Sequence, residues 1–253
     1  MFSLPIILLL NGLALYVKAQ TLEKSRSVWV EQGLVRGKIY KIGDQQVQIF
    51  RGIPYAEAPV GQLRFKKPIK KARWDREFSA TEYGSPCIQF MDFHKHDKMS
   101  GENMLKESED CLFLNIFAPY NSEDESQLFP ILVWIHGGSF LAGSSDTGID
   151  METVAKNLVF KNITIITVNY RLDLSDSCPS IIPTMDRTAV RGIHQQMVKW
   201  KRNIKQFNGD PTRITVMGES AGAAAASVLG LSPLTKSLVH QVIAMSGSST
   251  AGW

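Results

Sequence analysis

Apolar residues along this 253-residue chain fall into short blocks whose internal spacing separates strands from helices. Cys111–Phe117, Ile131–Ile135 and Ile163–Val168 are runs of Ile, Val, Leu and aromatic residues. Such runs suit strands covered on both faces. Between the last two, the stretch near Asp150–Leu158 predicts a helix with Asp150 as its N-cap. Strand, helix and strand in that order form a βαβ crossover, which predicts a parallel sheet.

A second helical pattern follows. Ile193, Met197, Trp200, Ile204 and Phe207 recur at offsets of 4, 7, 11 and 14 residues, while Lys199, Lys201, Arg202 and Lys205 fall elsewhere. Asn208-Gly209-Asp210-Pro211 writes its stop. Next come the β-rich run Ile214–Met217, a glycine-bounded turn, and the alanine-rich stretch Ala221–Leu229. The order strand, tight turn, helix is the context in which the chemistry has to be read.

The beginning of the chain has a different character. Met1–Val17 carries no side-chain charge, contains the apolar run Leu4–Leu10, and leads into Val17-Lys18-Ala19, a small-x-small pattern suited to cleavage before Gln20. Pro5, Asn11 and Gly12 interrupt it, and it is shorter than the roughly 20 apolar residues a membrane span needs. Residues 1–19 are therefore expected to be a secretory signal peptide. Residues 20–253 form one unit without repeats or a Pro, Gly or Ser linker, and no other segment suits a stable membrane span. A secreted, extracellular location, or the lumen of the endoplasmic reticulum, follows as an expectation. It makes Asn162-Ile163-Thr164 a candidate glycosylation sequon at Asn162.

Composition narrows the class further. At 44% hydrophobic and 21% charged residues, disorder and collagen-like repeats are excluded. With 28 basic and 24 acidic residues the net charge is +4, or +3 once Lys18 leaves with the leader, which is too weak to imply nucleic acid.

Gly218-Glu219-Ser220-Ala221-Gly222 is a GxSxG sequence placed between a strand and a helix. A turn that sharp holds its central residue in strained backbone and thrusts the side chain outward. The following helix N-terminus supplies free N–H groups and a positive dipole end for a developing oxyanion. Ser220 is thus the candidate catalytic nucleophile. The bland alternative is a Gly/Ser turn kept for tight packing, with Ala223–Ala226 letting the helix lie close to the sheet. His136-Gly137-Gly138-Ser139-Phe140 follows the run Ile131–Ile135 and matches a loop whose backbone amides complete an oxyanion hole. The expected donors are the amides of Gly138, Ser139 and Ala221, with Gly137 in a conformational role. Losing one such donor typically costs about 2.7–4 kcal/mol of transition-state stabilisation.

Three other features carry less chemistry. His136, leading into a glycine loop, reads as a structural hydrogen-bonder rather than a base. His94 and His96 have no Cys or further His near them, so no metal site is expected. Lys66-Lys67-Pro68-Ile69-Lys70-Lys71 reads as an exposed charged loop rather than a heparin patch.

With these residues in view, the chain resembles the type-B carboxylesterase/lipase family, which includes the cholinesterases. The resemblance runs through Gly33–Gly37, Phe50–Ala56, Pro59–Phe65, Ser108–Asn115, the His136 loop, Val168–Arg171, Phe207–Pro211, the Ser220 turn, His240–Ile243 and Ser246–Ser248. It implies an α/β-hydrolase fold, with a mostly parallel central sheet flanked by helices. It also implies a small-molecule carboxylic ester as substrate, no cofactor, and a disulfide between Cys87 and Cys111. A bond closing that loop stabilises by roughly 3 kcal/mol in the chain-entropy model. Cys178 is left over.

The sequence departs from the family in several places. Cholinesterases place a choline-binding tryptophan between those cysteines, and residues 88–110 contain none, so choline esters are not the expected substrate. Leu172–Cys178 replaces a glycine- and phenylalanine-rich loop, and Gln195-Gln196 stands where an Asp-Gln pair is usual. The triad order in this fold is Ser, then acid, then His, and 253 − 220 = 33 residues follow Ser220. Four of the five histidines precede Ser220, and His240 matches a structural position, so negligible turnover is expected from this chain alone. Three readings follow: part of a serine esterase, a naturally short noncatalytic secreted protein, or a cholinesterase-like adhesion protein. The intact Ser220 turn disfavours the third.

Overall fold

The computed structural model describes residues 24–89, 105–121, 123–146, 151–172, 193 and 202–250. The expected leader, His94, His96, Asp150, Cys178, Gln195, Gln196, Met197 and Trp200 lie outside these residues.

Among the described residues nine strands form one sheet. β1 (Lys24–Val30), β2 (Gly33–Ile42) and β3 (Gln45–Pro54) pair antiparallel in succession. β2 alternates inward Val35, Gly37 and Ile39 with half-buried Arg36 and Lys38, the period-2 signature of a strand with one wet face. Two-residue turns at Glu31-Gln32 and Gly43-Asp44 join the three strands, and loops that short connect only antiparallel neighbours. The short β4 (Phe78–Ser79) adds to β2 in parallel.

β5 (Phe113–Pro119), β6 (Phe129–Ile135), β7 (Thr164–Val168), β8 (Gly209–Glu219) and β9 (Gln241–Met245) complete the order β1-β2-β3-β5-β7-β6-β8-β9. The β3, β5 and β7 pairings are antiparallel, whereas β7, β6, β8 and β9 run parallel. The α/β-hydrolase arrangement is present, but the sheet is mixed rather than mostly parallel. Crossover connections set the direction of one half, and hairpin turns set that of the other.

The β6–β7 crossover contains α1 (Met151–Asn157), with Glu152 in its first turn and Lys156 in its last, as the helix dipole favours. Ala155 and Val159 pack on Phe117, Leu132 and Ile165 across one face of the sheet. Ile131, Val133 and Ile135 point to the other face, where Ala225, Ala226 and Leu229 of α2 (Ala221–Leu231) cover them. β6 is therefore apolar on both sides, which explains its uninterrupted apolar run. Ile193, Ile204 and Phe207 are buried in that same cluster, and Ile204–Phe207 is a 3-10 turn.

Asn208 ends this turn in the left-handed conformation (φ 59°), and β8 starts at the next residue, earlier than the run Ile214–Met217 suggests. Its Nδ2 donates to the carbonyls of Glu125 at 2.6 Å and Gln127 at 3.0 Å, while its Oδ1 accepts from Gln48 Nε2 at 2.7 Å. Replacing Asn208 by alanine should cost about 2–4 kcal/mol in urea unfolding, because it removes one of the two acceptors of the buried Gln48 amide, takes the donor from the Glu125 and Gln127 carbonyls, and adds backbone strain. Glycine at 208 should cost less, since it relieves the strain and loses only the bonds.

Asp210 starts the next segment with a carboxylate that accepts from Thr212 Oγ1 at 2.6 Å, Thr212 N at 2.9 Å and Arg213 Nε at 2.6 Å. The Thr212 hydroxyl does most to lower its pKa to about 2 from 3.8. The folded carboxyl thus ionises at lower pH than the unfolded one. Its contribution is complete above about pH 4 and disappears as the pH falls through about 2. Asp210→Asn should cost about 1 kcal/mol at pH 7 after solvent screening, and the two unfolding curves should converge near pH 2.

β9 borders the sheet on the side away from β1, leaving Val242 (39%) and Ile243 (43%) exposed on an edge strand.

Candidate functional site

Ser220 sits between β8 and α2 at φ 54°, ψ −122°, a backbone region rarely adopted by a residue with a side chain. Serine at a helix N-cap ordinarily accepts a bond from an N–H of the first turn, but from extended backbone. Here the strained backbone takes the hydroxyl out of that role: Ser220 makes no side-chain capping bond. Its carbonyl instead accepts from Ala223 N at 2.9 Å and Ala224 N at 3.1 Å, and its N–H donates to Met245 O at 2.8 Å. The end of β9 thereby holds the turn from the side opposite the helix. Gly247 packs behind it, where a methyl would lie 2.4 Å from Ser220 O.

The His136 loop lies against this turn. A methyl on Gly137 would fall 2.6 Å from Glu219 Oε2 and 3.3 Å from Ser220 Cβ. One on Gly222 would fall 2.1 Å from Ile135 O. Beyond Gly137 the loop turns through positive φ at Gly138 (104°), Ser139 (55°) and Phe140 (60°), closed by Leu141 and Ala142 N–H groups donating to Gly138 O. The N–H groups of Gly138, Ser139 and Ala221 have no backbone acceptor among the described residues. The strand ends thus bring Ser220 and the Gly138, Ser139 and Ala221 segments into one cluster at the C-terminal edge of the parallel strands, where open α/β sheets bind ligands.

A buried scaffold fixes the loop. His136 donates from Nδ1 to Gly137 O at 2.9 Å, and its ring stacks on Tyr170 with centroids 4.2 Å apart. Tyr170 OH donates to His136 O at 2.7 Å, and burial pushes the phenol well above its ordinary pKa, so it remains a donor. Asn169 Oδ1 accepts from Ser145 N at 2.6 Å, and its Nδ2 donates to the carbonyls of Ser85 and Cys111, each at 3.0 Å. Cys87 and Cys111 form a disulfide with a Cα–Cα distance of 4.9 Å. Two residues past Cys87, Gln89 grips Gly143 with both ends of its amide, at 2.9 and 3.0 Å. Sequence reasoning gave Gln89 no role, because nothing in its local pattern marks an amide that imitates a neighbouring strand.

The remaining sequence candidates are placed elsewhere. His240 Nδ1 accepts from Ile214 N at 3.1 Å, at the middle of β8, and Ile214 is six extended positions before Ser220, about 20 Å. Lys70 and Lys71 of the basic run pair with Glu31 and Glu57. No group of three potential metal ligands occurs among the described residues, and none of their helices is long and apolar enough to cross a membrane.

A mixed sheet with a strained serine between strand and helix, facing a glycine loop from the neighbouring strand, defines an α/β-hydrolase. The carboxylesterase family model matches residues 24–175 and 193–253. The chain is 36% identical to acetylcholinesterase-1 of Trittame loki, over 95% of this chain and 43% of that protein. It is 34% identical to a medium-chain fatty acyl-CoA hydrolase precursor of Anas platyrhynchos, over 97% of this chain and 44% of that protein. The structure of juvenile hormone esterase from Manduca sexta, with OTFP covalently attached, superposes with a TM-score of 0.79 at 34% identity, covering 90% of this chain and 42% of that one. The chain belongs to the carboxylesterase family, and it spans less than half the length of these relatives.

Proposed function

We propose that Ser220 is the nucleophile of a carboxylic ester hydrolase. In the first step Ser220 Oγ bonds to the ester carbonyl carbon and gives its proton to a base, and the carbonyl oxygen becomes an oxyanion received by the Gly138, Ser139 and Ala221 amides. The C–O bond to the alcohol then breaks, the alcohol leaves with that proton, and water later hydrolyses the acyl-serine. The observation that carries this reading is the strained Ser220 backbone, which withholds the hydroxyl from capping α2.

Serine at its free pKa needs a base. His240 is too distant along β8, and His136 is held by Gly137 and Tyr170. On the order Ser, then acid, then His, our reading places the acid and the histidine later than Ser220, in sequence beyond these 253 residues, and expects negligible turnover from this stretch by itself. The absence of tryptophan between Cys87 and Cys111 argues against choline esters.

Sequencing the transcript past the Trp253 codon tests the first part: a frame continuing to an acid and then a histidine is expected. The longer product should hydrolyse an aryl acetate and lose that activity on Ser220→Ala. Activity that survives Ser220→Ala would overturn the role of Ser220. Enzyme-like hydrolysis by the 253-residue chain, abolished by the same substitution, would show that the base lies within it.

A further inference from the structure

The Asn162-Ile163-Thr164 triplet runs from the turn after α1 into the first residue of β7, and the fold treats its two polar residues in opposite ways. Asn162 is exposed at φ 61°, ψ 41°, ending the 3-10 turn Val159–Lys161. Asparagine tolerates that left-handed conformation, so the backbone alone accounts for it. Thr164 has no such account. Its side chain is 0% exposed where it pairs with Ile131, and its Oγ1 is buried with no hydrogen-bond partner among the described residues. A stranded hydroxyl weakens the folded state, and valine has the same shape without it. The folded chain has no use for this hydroxyl, yet it is the group that the Asn-x-Ser/Thr signal requires.

Beside Asn162 lies a polar cleft of about 330 Å³, formed with the β2–β3 turn and the chain that follows β5. Gln45, Gln46 and Gln127 line it, with side-chain amides that have no partner among the described residues, and Tyr120 and Phe160 add aromatic surface. Free amides and aromatic faces are the groups that hydrogen-bond to sugar hydroxyls and cover sugar rings. The cleft is at the opposite end of the strands from Ser220, so a sugar there leaves the nucleophile open and does not depend on its chemistry.

We propose that Asn162 carries an N-linked glycan whose first sugars lie in this cleft. The full chain with its own leader, expressed in insect cells and recovered from cells and medium together, should carry one glycan that peptide-N-glycosidase F removes. Asn162→Gln and Thr164→Val should lose it, and Thr164→Ser should keep it. An unmodified Asn162 in the wild-type chain overturns the proposal. Made in bacteria without glycan, Thr164→Val should melt about 2–4 °C above the wild type. A lower melting temperature would mean that the fold does use the hydroxyl, and the reasoning from Thr164 would fail. Replacing both Gln45 and Gln127 by alanine should speed enzymatic release of the glycan from the native glycoprotein, and unchanged release overturns its seating in the cleft.

Discussion

Gly222→Ala is expected to cost about 3 kcal/mol or more, a large part of the 5–15 kcal/mol that holds an ordinary domain together. The added methyl would lie 2.1 Å from Ile135 O and 2.7 Å from His136 O, and both are backbone atoms fixed by β6 and its loop. Neither can rotate aside. The helix has to lift off the sheet, and Ala223, Ala224, Ala225 and Ala226, each no more than 1% exposed, lose their contacts with it. Gly230 in the same helix provides the control. A methyl there meets only Val242 Cγ2 at 2.5 Å, on a side chain that is 39% exposed and can turn. Because alanine also favours the helix, Gly230→Ala should stay within about 1 kcal/mol of the wild type. Urea unfolding of the two variants side by side checks the contrast. Equal midpoints would mean that α2 does not rest on β6 as closely as the structure has it.

That contrast also shows what could be read from the chain beforehand. β6, β7, α1 and α2 were legible because both faces of the parallel strands are buried, which leaves uninterrupted apolar runs such as Ile131–Ile135. The first three strands carry Lys24, Arg26, Arg36, Lys38 and Lys41 among their apolar residues, so no run stands out. Their available signal was fainter, namely the alternation of Val35, Gly37 and Ile39 and the Gly43-Asp44 turn. At the site, the serine turn and the His136 loop were legible because tight turns restrict which residues fit. Side chains that act across space were not. Gln89 and Gly143 are 54 positions apart, and Asn169 joins Ser85, Cys111 and Ser145 from three different segments. Such contacts depend on tertiary geometry, which no local window of sequence encodes.

The environment of Ser220 can be measured independently of any catalytic base. A cysteine placed there, in a chain whose Cys178 is changed to serine, should alkylate with iodoacetamide at pH 7 about tenfold faster than a solvent-exposed free cysteine. A thiolate at position 220 would stand at the N-terminus of the 11-residue α2, beside the Ala221 amide and the Gly138 and Ser139 amides, which have no backbone acceptor among the described residues. Those groups favour the charged form, and helix N-termini lower a cysteine pKa from about 8.5 into the range of roughly 3.5–7.5. At pH 7 the thiolate fraction then rises from about 3% to about a quarter or more, and the weaker nucleophilicity of a less basic thiolate offsets part of the gain. The Cys87–Cys111 bond keeps the other two sulfurs out of the reaction. The pH dependence of the rate gives the pKa directly, and a midpoint near 8.5 would mean that these amides do not stabilise negative charge at position 220. A depressed midpoint would assign the electrostatic half of the proposed ester hydrolysis to the Ser220 turn and the His136 loop.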